Sequence, residues 1–331
     1  MPHRGSSSKP SWLLLASGAA LAILLGCTLG PAGFGVGEVW EALLGRGDPA
    51  RVAIVRELRL PRVLLAFLVG GSLATCGAAL QALVRNPLAD PYLLGLSGGA
   101  GLGAVLAIAA DAGGAWGVPL AALAGAALAV VVVYRLGIVG GGLLDTRVLL
   151  LAGVVVGAFA IALMGAVMAL SPAPQIRNAL HWILGSFSAA SWLSLLVFAT
   201  YAVIPLVALY LMHRPLDLLS LGEEPAGFLG VDVERAKRAL YAAASALTAA
   251  AVAVCGIIGF VGLVIPHLAR ISWGHQHRIL LPSAFLLGGM LLVLADAAAR
   301  VIFAPLELPV GVVTALIGVP VFVWVLRRWT G

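Results

Sequence analysis

The side chains able to do chemistry are few in this sequence, and their spacing argues against catalysis. Six histidines, His3, His181, His213, His267, His275 and His277, are spread over polar joints and the ends of apolar runs. None belongs to an H-E-x-x-H zinc helix, and no G-x-S-x-G nucleophile elbow occurs. The lysines are Lys9 and Lys237, and neither follows the glycine run of a G-x-x-x-x-G-K-[ST] phosphate loop. The chain therefore has no means of hydrolysing ATP alone. Cys27, Cys76 and Cys255 sit in apolar segments without metal-ligand spacing and read as small packing residues, so no catalytic residue and no metal set is expected. Asp296 and Arg300 stand four apart, which on a helix makes an i,i+4 pair rather than a proton relay. An ion-coupled carrier would be expected to hold a mid-membrane carboxylate, and the span interiors are nearly free of charge.

What positions these residues is a membrane. Of 331 residues 62% are hydrophobic and 10% charged, and the mean hydropathy is +1.08, far from a soluble domain. Lipid cannot satisfy backbone polar groups, and the apolar runs are continuous rather than alternating, so the spans are expected to be helices and not a barrel. Breaks at Pro, Gly and charge place spans near 12–34, 61–84, 93–110, 118–134, 147–170, 192–212, 239–258, 280–303 and 308–326. A short apolar piece, Gly259 to Ile271, decides between nine and ten crossings. The 41 glycines, among them Gly98, Gly99, Gly101, Gly103, Gly153, Gly157 and Gly165, suit helices packed backbone to backbone, or helices that slide. The expectation is an all-α polytopic protein, one transmembrane domain over 1–331.

Loop charge orients it. With ten crossings and both ends in the cytoplasm, Arg4, Lys9, Arg85, Arg135, Arg147, Arg214, Arg235, Lys237, Arg238, Arg270, Arg278, Arg327 and Arg328 fall inside. Arg46, Arg51, Arg56, Arg59, Arg62, Arg177 and Arg300 fall outside, five of them in the loop between the first two spans. The sequence pI of 9.7 reflects these loops; no basic stripe with interleaved aromatics suggests nucleic acid. Leu24-Leu25-Gly26-Cys27 loosely resembles a lipoprotein cleavage box, but an uncleaved first span explains the same pattern. One inner segment, His213 to Arg238, mixes acids, bases and apolar residues at helical spacing and suits a short amphipathic helix resting on a partner; a solvated loop is the plain alternative.

Several strings carry a further signal. Arg59-Leu60-Pro61-Arg62 is followed by Gln81, by Arg85-Asn86-Pro87-Leu88-Ala89-Asp90-Pro91 and by Leu94-Gly95-Leu96-Ser97-Gly98-Gly99-Ala100. The second half adds Gly259-Phe260-Val261-Gly262-Leu263-Val264-Ile265-Pro266-His267-Leu268-Ala269-Arg270, Leu294-Ala295-Asp296 and Glu307-Leu308-Pro309-Val310-Gly311. In this order, from about residue 50 to the C-terminus, they resemble the permease subunit of the FecCD-type ABC importers for iron chelates, haem and vitamin B12.

The resemblance implies a ten-span permease in the cytoplasmic (inner) membrane, paired with a second copy of itself. It also implies two cytoplasmic ATPase subunits, which would hold ATP and Mg while this chain binds no cofactor, and a periplasmic or lipid-anchored substrate-binding protein. By the same resemblance Leu221, Gly222, Glu223, Glu224, Gly227, Phe228, Leu229 and Gly230 match the family's ATPase-coupling segment. Arg59, Arg62 and Arg300 match its outward arginines that meet the binding protein; for Arg59 and Arg62 anchoring to lipid phosphates is the alternative, and for Arg46, Arg51 and Arg56 it is the favoured reading. Asn86, Leu88, Asp145 and Thr146 fall at its cytoplasmic gate, where Asp145 replaces an expected small hydroxyl residue. Gly153, Gly157, Met164 and Met168 lie on its pathway-lining helix, with ordinary packing as the alternative for the methionines. The implied function is inward movement of a metal chelate; the rival is an ion-coupled secondary transporter of a small solute.

Overall fold

A computed structural model describes residues 11–330 apart from 113 and 115, and the side chains of 325, 326 and 328–330 are not described. Arg4 and Lys9, and the side chain of Arg328, which entered the charge argument, lie outside the described residues.

Helix starts and stops follow local chemistry. Helix α1 (Trp12–Thr28) opens on Ser11, whose hydroxyl accepts from the Leu14 N–H at 3.4 Å. After α2 (Val36–Leu43), Asp48 caps α3 (Pro49–Ala53), which has proline at its first position, where the missing N–H costs nothing. A π-turn over Ile54–Arg59 runs directly into α4 (Leu60–Val84). Pro49–Val84 is thus one 36-residue helical rod, about 54 Å long against about 30 Å of hydrocarbon. The sequence expectation put its start at 61; the helix begins earlier because nothing in 49–59 breaks it, and a rod of that length exceeds the hydrocarbon thickness. The rod ends at Arg85, in the left-handed region at φ 55°.

The remaining spans match the apolar runs closely: α5 (Leu96–Ala109), α6 (Gly117–Gly137), α7 (Thr146–Ala169) and α9 (Trp192–Leu211). Helix α8 (Ala173–Ile183) is an amphipathic joint between α7 and α9. The polar inner segment folds as two short helices, α10 (His213–Leu221) and α11 (Glu223–Phe228). Residues from Val233 onward belong to the span α12 (Val233–Cys255), so the segment expected to end at 238 ends at Asp232, which caps that span. Helices α13 (Val261–Trp273), α14 (His277–Val301) and α15 (Val310–Thr330) complete the chain, and α13 with the extended stretch before it returns the chain from the end of α12 to the start of α14. With that return the passes number about ten. A two-residue antiparallel pair, β1 (Ile138–Val139) and β2 (Leu143–Leu144), closes the α6–α7 turn.

Helix α4 is the axle: 83% of its apolar window is buried, against 22% for α6 and α9 and 28% for α7. It packs on α14, α12, α13 and α9. It meets α14 closely where a Cβ on Gly70 would collide with the Gly288 carbonyl oxygen, and α13 more closely still where one on Gly77 would collide with the Gly262 carbonyl oxygen, so both pairs cross backbone to backbone. Two ends of the bundle can be told apart. The end that holds the expected coupling segment, called the coupling end below, carries Asn86, the β-hairpin, α10, α11 and the start of α14; the arginine end carries α2, α3, the π-turn, α8 and the α14–α15 joint.

Candidate functional site

At the coupling end, Gly222 at φ 133° makes the elbow between α10 and α11, a backbone region open chiefly to glycine. Ala226 is fully buried and seats α11, while Leu221, Phe228 and Leu229 are 67%, 84% and 62% exposed. Large apolar side chains held this far out are open to another protein or to lipid. Glu224, Gly227 and Gly230 are exposed beside them, and Glu223 turns inward.

Glu223 turns in because of Lys237. The Lys237 Nζ, 2% exposed as a residue, donates to Glu223 Oε2 at 2.8 Å, to the Leu144 carbonyl at 2.5 Å and meets Glu234 Oε1 at 2.6 Å. Glu234 Oε2 in turn accepts from the Leu144 N–H at 2.9 Å. One buried ammonium therefore ties α11, the first turn of α12 and the β-hairpin together. The next residue is Asp145, the N-cap of α7, whose Oδ1 accepts from the N–H groups of Arg147 at 2.8 Å and Val148 at 3.2 Å. The bonds from Val148 and Arg147 hold its carboxyl below the usual range. A small hydroxyl residue and aspartate are interchangeable as caps, which explains why Asp145 stands where a hydroxyl was expected. Thr146 is buried as the first residue of α7.

Asn86 and Leu88 lie across the same end in the loop after α4, where Asn86 Oδ1 accepts from the Leu88 N–H at 2.9 Å and Leu88 is 45% exposed. Asn86 borders a cleft of about 380 Å³ with Arg85, Ser220, Arg270, His275 and His277. Within this chain the two gate pairs thus belong to different neighbourhoods, Asn86 beside α10 and Asp145 beside Lys237. Helix α10 is latched to α14 by Asp217, whose Oδ1 accepts from the His277 N–H at 2.8 Å and meets its Nδ1 at 2.6 Å. Burial raises the Asp217 carboxyl, but the bonds from His277 outweigh it and its pKa lies below the ordinary value.

Helix α7 carries the residues expected to line the path. Gly153 is buried against the backbone before α5, where a Cβ would collide with the Leu93 carbonyl oxygen, and Met164 is buried with its sulfur against Gly101. Gly157 and Met168 are half-buried. These residues form the packing face because small or flexible side chains let α5 come close. The open face is the opposite one: Leu151, Val155, Ala158, Ala162, Gly165 and Ala169, all exposed and all apolar.

The arginine end is equally definite. Arg59, 6% exposed, donates through Nη1 to the carbonyls of Cys27 at 2.8 Å and Thr28 at 2.9 Å, through Nη2 to Ala32, and lies 4.4 Å over the Phe34 ring. Arg300, 3% exposed, donates to Leu29 at 2.8 Å and Gly26 at 2.8 Å, and its Nε pairs with Asp296 Oδ2 at 3.1 Å. Arg62 donates to Asp296 Oδ1 at 2.9 Å and Glu307 Oε2 at 3.0 Å. Two guanidiniums therefore satisfy the orphan carbonyls at the C-terminus of α1, where the helix dipole also favours cations. Side chains expected to project outward are instead turned in, because these carbonyls and Asp296 are buried acceptors that would otherwise lack donors. The exposed cations at this end are Arg46, Arg56 and Arg177, with Arg51 partly exposed in a 2.9 Å pair with Glu38.

Lys237 is the residue that sequence reasoning passed over, although its isolation as one of two lysines three positions after Glu234 was visible. Among the described residues, no three or more His, Cys, Asp or Glu cluster as metal ligands.

Known proteins match this architecture. Residues 18–328 fit the model of the FecCD transport family. A vitamin B12 import system permease of Salmonella arizonae is 40% identical over 324 residues, 96% of this chain and 94% of that one. An uncharacterised ABC transporter permease of Bacillus subtilis is 38% identical over 93% of this chain and 91% of its own length. Among solved structures, an inward-facing metal-chelate type ABC transporter superposes with a TM-score of 0.86 at 28% identity, covering 96% of this chain and 98% of that one.

Proposed function

The chain belongs to the FecCD transport family, and on that premise we propose that it carries a metal chelate of the cobalamin, haem or ferric siderophore class inward, between two copies of itself. It is the permease of an ABC importer, and it works with an ATPase and a substrate-binding protein. The reading assigns the coupling end to the cytoplasm, where Arg85, Arg135, Arg147, Arg214, Arg235 and Arg278 concentrate. Both termini then lie in the cytoplasm, and two ATPase subunits, holding ATP and Mg, meet the exposed Leu221, Phe228 and Leu229.

The observation that carries the mechanism is the three-way bond of Lys237. When nucleotide binding draws the ATPases together, α11 moves with them. Glu223 transmits that movement through Lys237 to the Leu144 carbonyl, one residue before the cap of α7. The N-terminus of α7 shifts, and with it Asp145 and Thr146; Asn86 and Leu88 follow through α10, whose latch to α14 is Asp217–His277. The open face of α7 lines the path, and its small residues Ala158, Ala162, Gly165 and Ala169 present a wall to which a bulky cargo adheres weakly.

The substrate-binding protein docks on the arginine end. Of the exposed and partly exposed cations at this end, Arg46, Arg51 and Arg56 would steer its acidic surface into register. Arg59, Arg62 and Arg300 hold the frame beneath, and engage the partner directly only if their internal bonds open.

The test is uptake of labelled cobalamin, haem or ferric siderophore into proteoliposomes holding the permease with its ATPase and binding protein. Phe228→Asp together with Leu229→Asp is expected to abolish ATP-driven uptake while the permease still folds. Undiminished uptake would remove the coupling role of α11.

A further inference from the structure

A groove of about 730 Å³ runs along the bundle surface between α6, α9 and α12. Its floor is a ladder of small residues on α12, Ala242, Ala246, Ala249, Ala250 and Ala253, and its walls are apolar side chains such as Val130 and Phe198. From Ala242 to Ala253 the helix rises about 17 Å, close to one leaflet's share of the roughly 30 Å hydrocarbon core. At the arginine end the groove does not stop. Pro119, Ala253 and Val254 line both it and a second cavity of about 530 Å³, whose lining changes to Arg177, Asn178, His181, Ser186 and Ser188.

The two cavities together have the polarity of one molecule: a long apolar channel one leaflet deep, opening into a basin with a cation, an imidazole, an amide and hydroxyls. Arg177, Asn178 and His181 are exposed, and among the described residues no hydrogen bond or ion pair engages their side chains. Trp116 lines the groove and Trp182 the basin at the junction, the depth at which indoles settle between hydrocarbon and water. Arginine's planar fork suits a phosphate. Helix α7, whose open face the preceding reading gives to the path, lines neither cavity.

We infer that this is a phospholipid-binding site, with an acyl chain in the α6–α9–α12 groove and the lipid phosphate on Arg177 and His181. The lipid comes from the leaflet at the arginine end and bridges α8 to α6 and α12. Because α8 leads directly from the end of α7, a bound lipid braces the joint between the path-lining helix and the rest of the bundle.

The experiment uses the assembled permease–ATPase complex, delipidated in mild detergent and then offered phosphatidylethanolamine, the matching diacylglycerol, or inorganic phosphate, with retention read by native mass spectrometry. One phosphatidylethanolamine per permease chain is expected, held about tenfold better than the diacylglycerol, roughly the worth of one charge-assisted hydrogen bond. Inorganic phosphate in excess should displace little of it. Arg177→Gln with His181→Gln should remove most of the preference over diacylglycerol, and Ala249→Trp should block the groove. Equal retention of diacylglycerol, or undiminished retention in both variants, would overturn the proposal. A photoreactive benzoylphenylalanine replacing Ala246 gives a second readout in membranes. A product heavier by one phospholipid is expected, whereas a covalent dimer of the chain would make the groove a seam between copies and refute the lipid site without touching the transport reading.

Discussion

Asp296→Asn removes the one carboxylate that faces both Arg62 and Arg300. The residue is 1% exposed and the Arg300 side chain 4%, so the Arg300 guanidinium is left in a dry site with only neutral carbonyls, those of Gly26 and Leu29, as acceptors. Stripping one partner from a buried ion pair costs about 3–5 kcal/mol. Arg62 loses less, because Glu307 remains at 3.0 Å and that pair is 34% exposed on the acid side, where such contacts contribute about 0–1 kcal/mol. The cost therefore falls on Arg300, and a double-mutant cycle with Arg300→Met should return a coupling of about 1–3 kcal/mol. Reversible denaturation of the purified protein, followed by tryptophan fluorescence, measures both quantities. If the arginines were instead held for the binding protein, Asp296→Asn would free them, tightening docking with stability unchanged. That result, or a coupling near zero, would refute the structural role.

Other consequences can be checked alongside. Lys237→Met should leave the assembled complex hydrolysing ATP while uptake falls at least tenfold, since the hairpin no longer follows α11; equal losses of hydrolysis and uptake would point to misfolding instead. Gly70→Val forces α4 and α14 apart at their closest crossing and should destabilise the fold by about 1–3 kcal/mol or more, read as a lowered melting temperature, whereas Gly165→Ala on the open face of α7 should be neutral. The Asp217 carboxyl titrates below its ordinary value, so the stability its latch adds is present above the unfolded carboxylate's pKa and is lost as pH falls through the lower folded value. Amide protection in α10, measured against intrinsic exchange, should fall over that acidic window and be already low at neutral pH in Asp217→Asn. Arg56→Glu with Arg46→Glu should weaken capture of the binding protein with a reduced salt dependence, as measured by surface plasmon resonance on nanodiscs.

The spans were legible because lipid leaves a chain little choice: each apolar run of bilayer length became a helix, and α6, α7 and α9 begin and end within a few residues of the Pro, Gly and charge breaks that bound them. Residues 49–60 were not, since a helix that leaves the bilayer carries no hydropathy signal, and Arg56, Glu57 and Arg59 looked like loop. Side-chain direction was the larger gap. Motif matching located Gly153, Met164, Arg59 and Arg300, but whether a residue faces the path or the packing depends on the phase of its helix against neighbours far away in sequence. Gly153 meets the Leu93 backbone and Arg300 meets the end of α1, contacts that local pattern does not encode. Gly222 was visible as glycine in a polar stretch; that it is an elbow holding Phe228 out became apparent only with Ala226 seated and Glu223 tied to Lys237.

The most direct test compares chelate accumulation in proteoliposomes that hold this chain and its binding protein with an intact ATPase, with an ATPase lacking its phosphate-loop lysine, or with no ATPase. Accumulation against a gradient is expected in the first alone. Concentrative uptake in either of the other two would contradict the claim that the chain moves its cargo only when a separate nucleotide-hydrolysing subunit works the coupling helix.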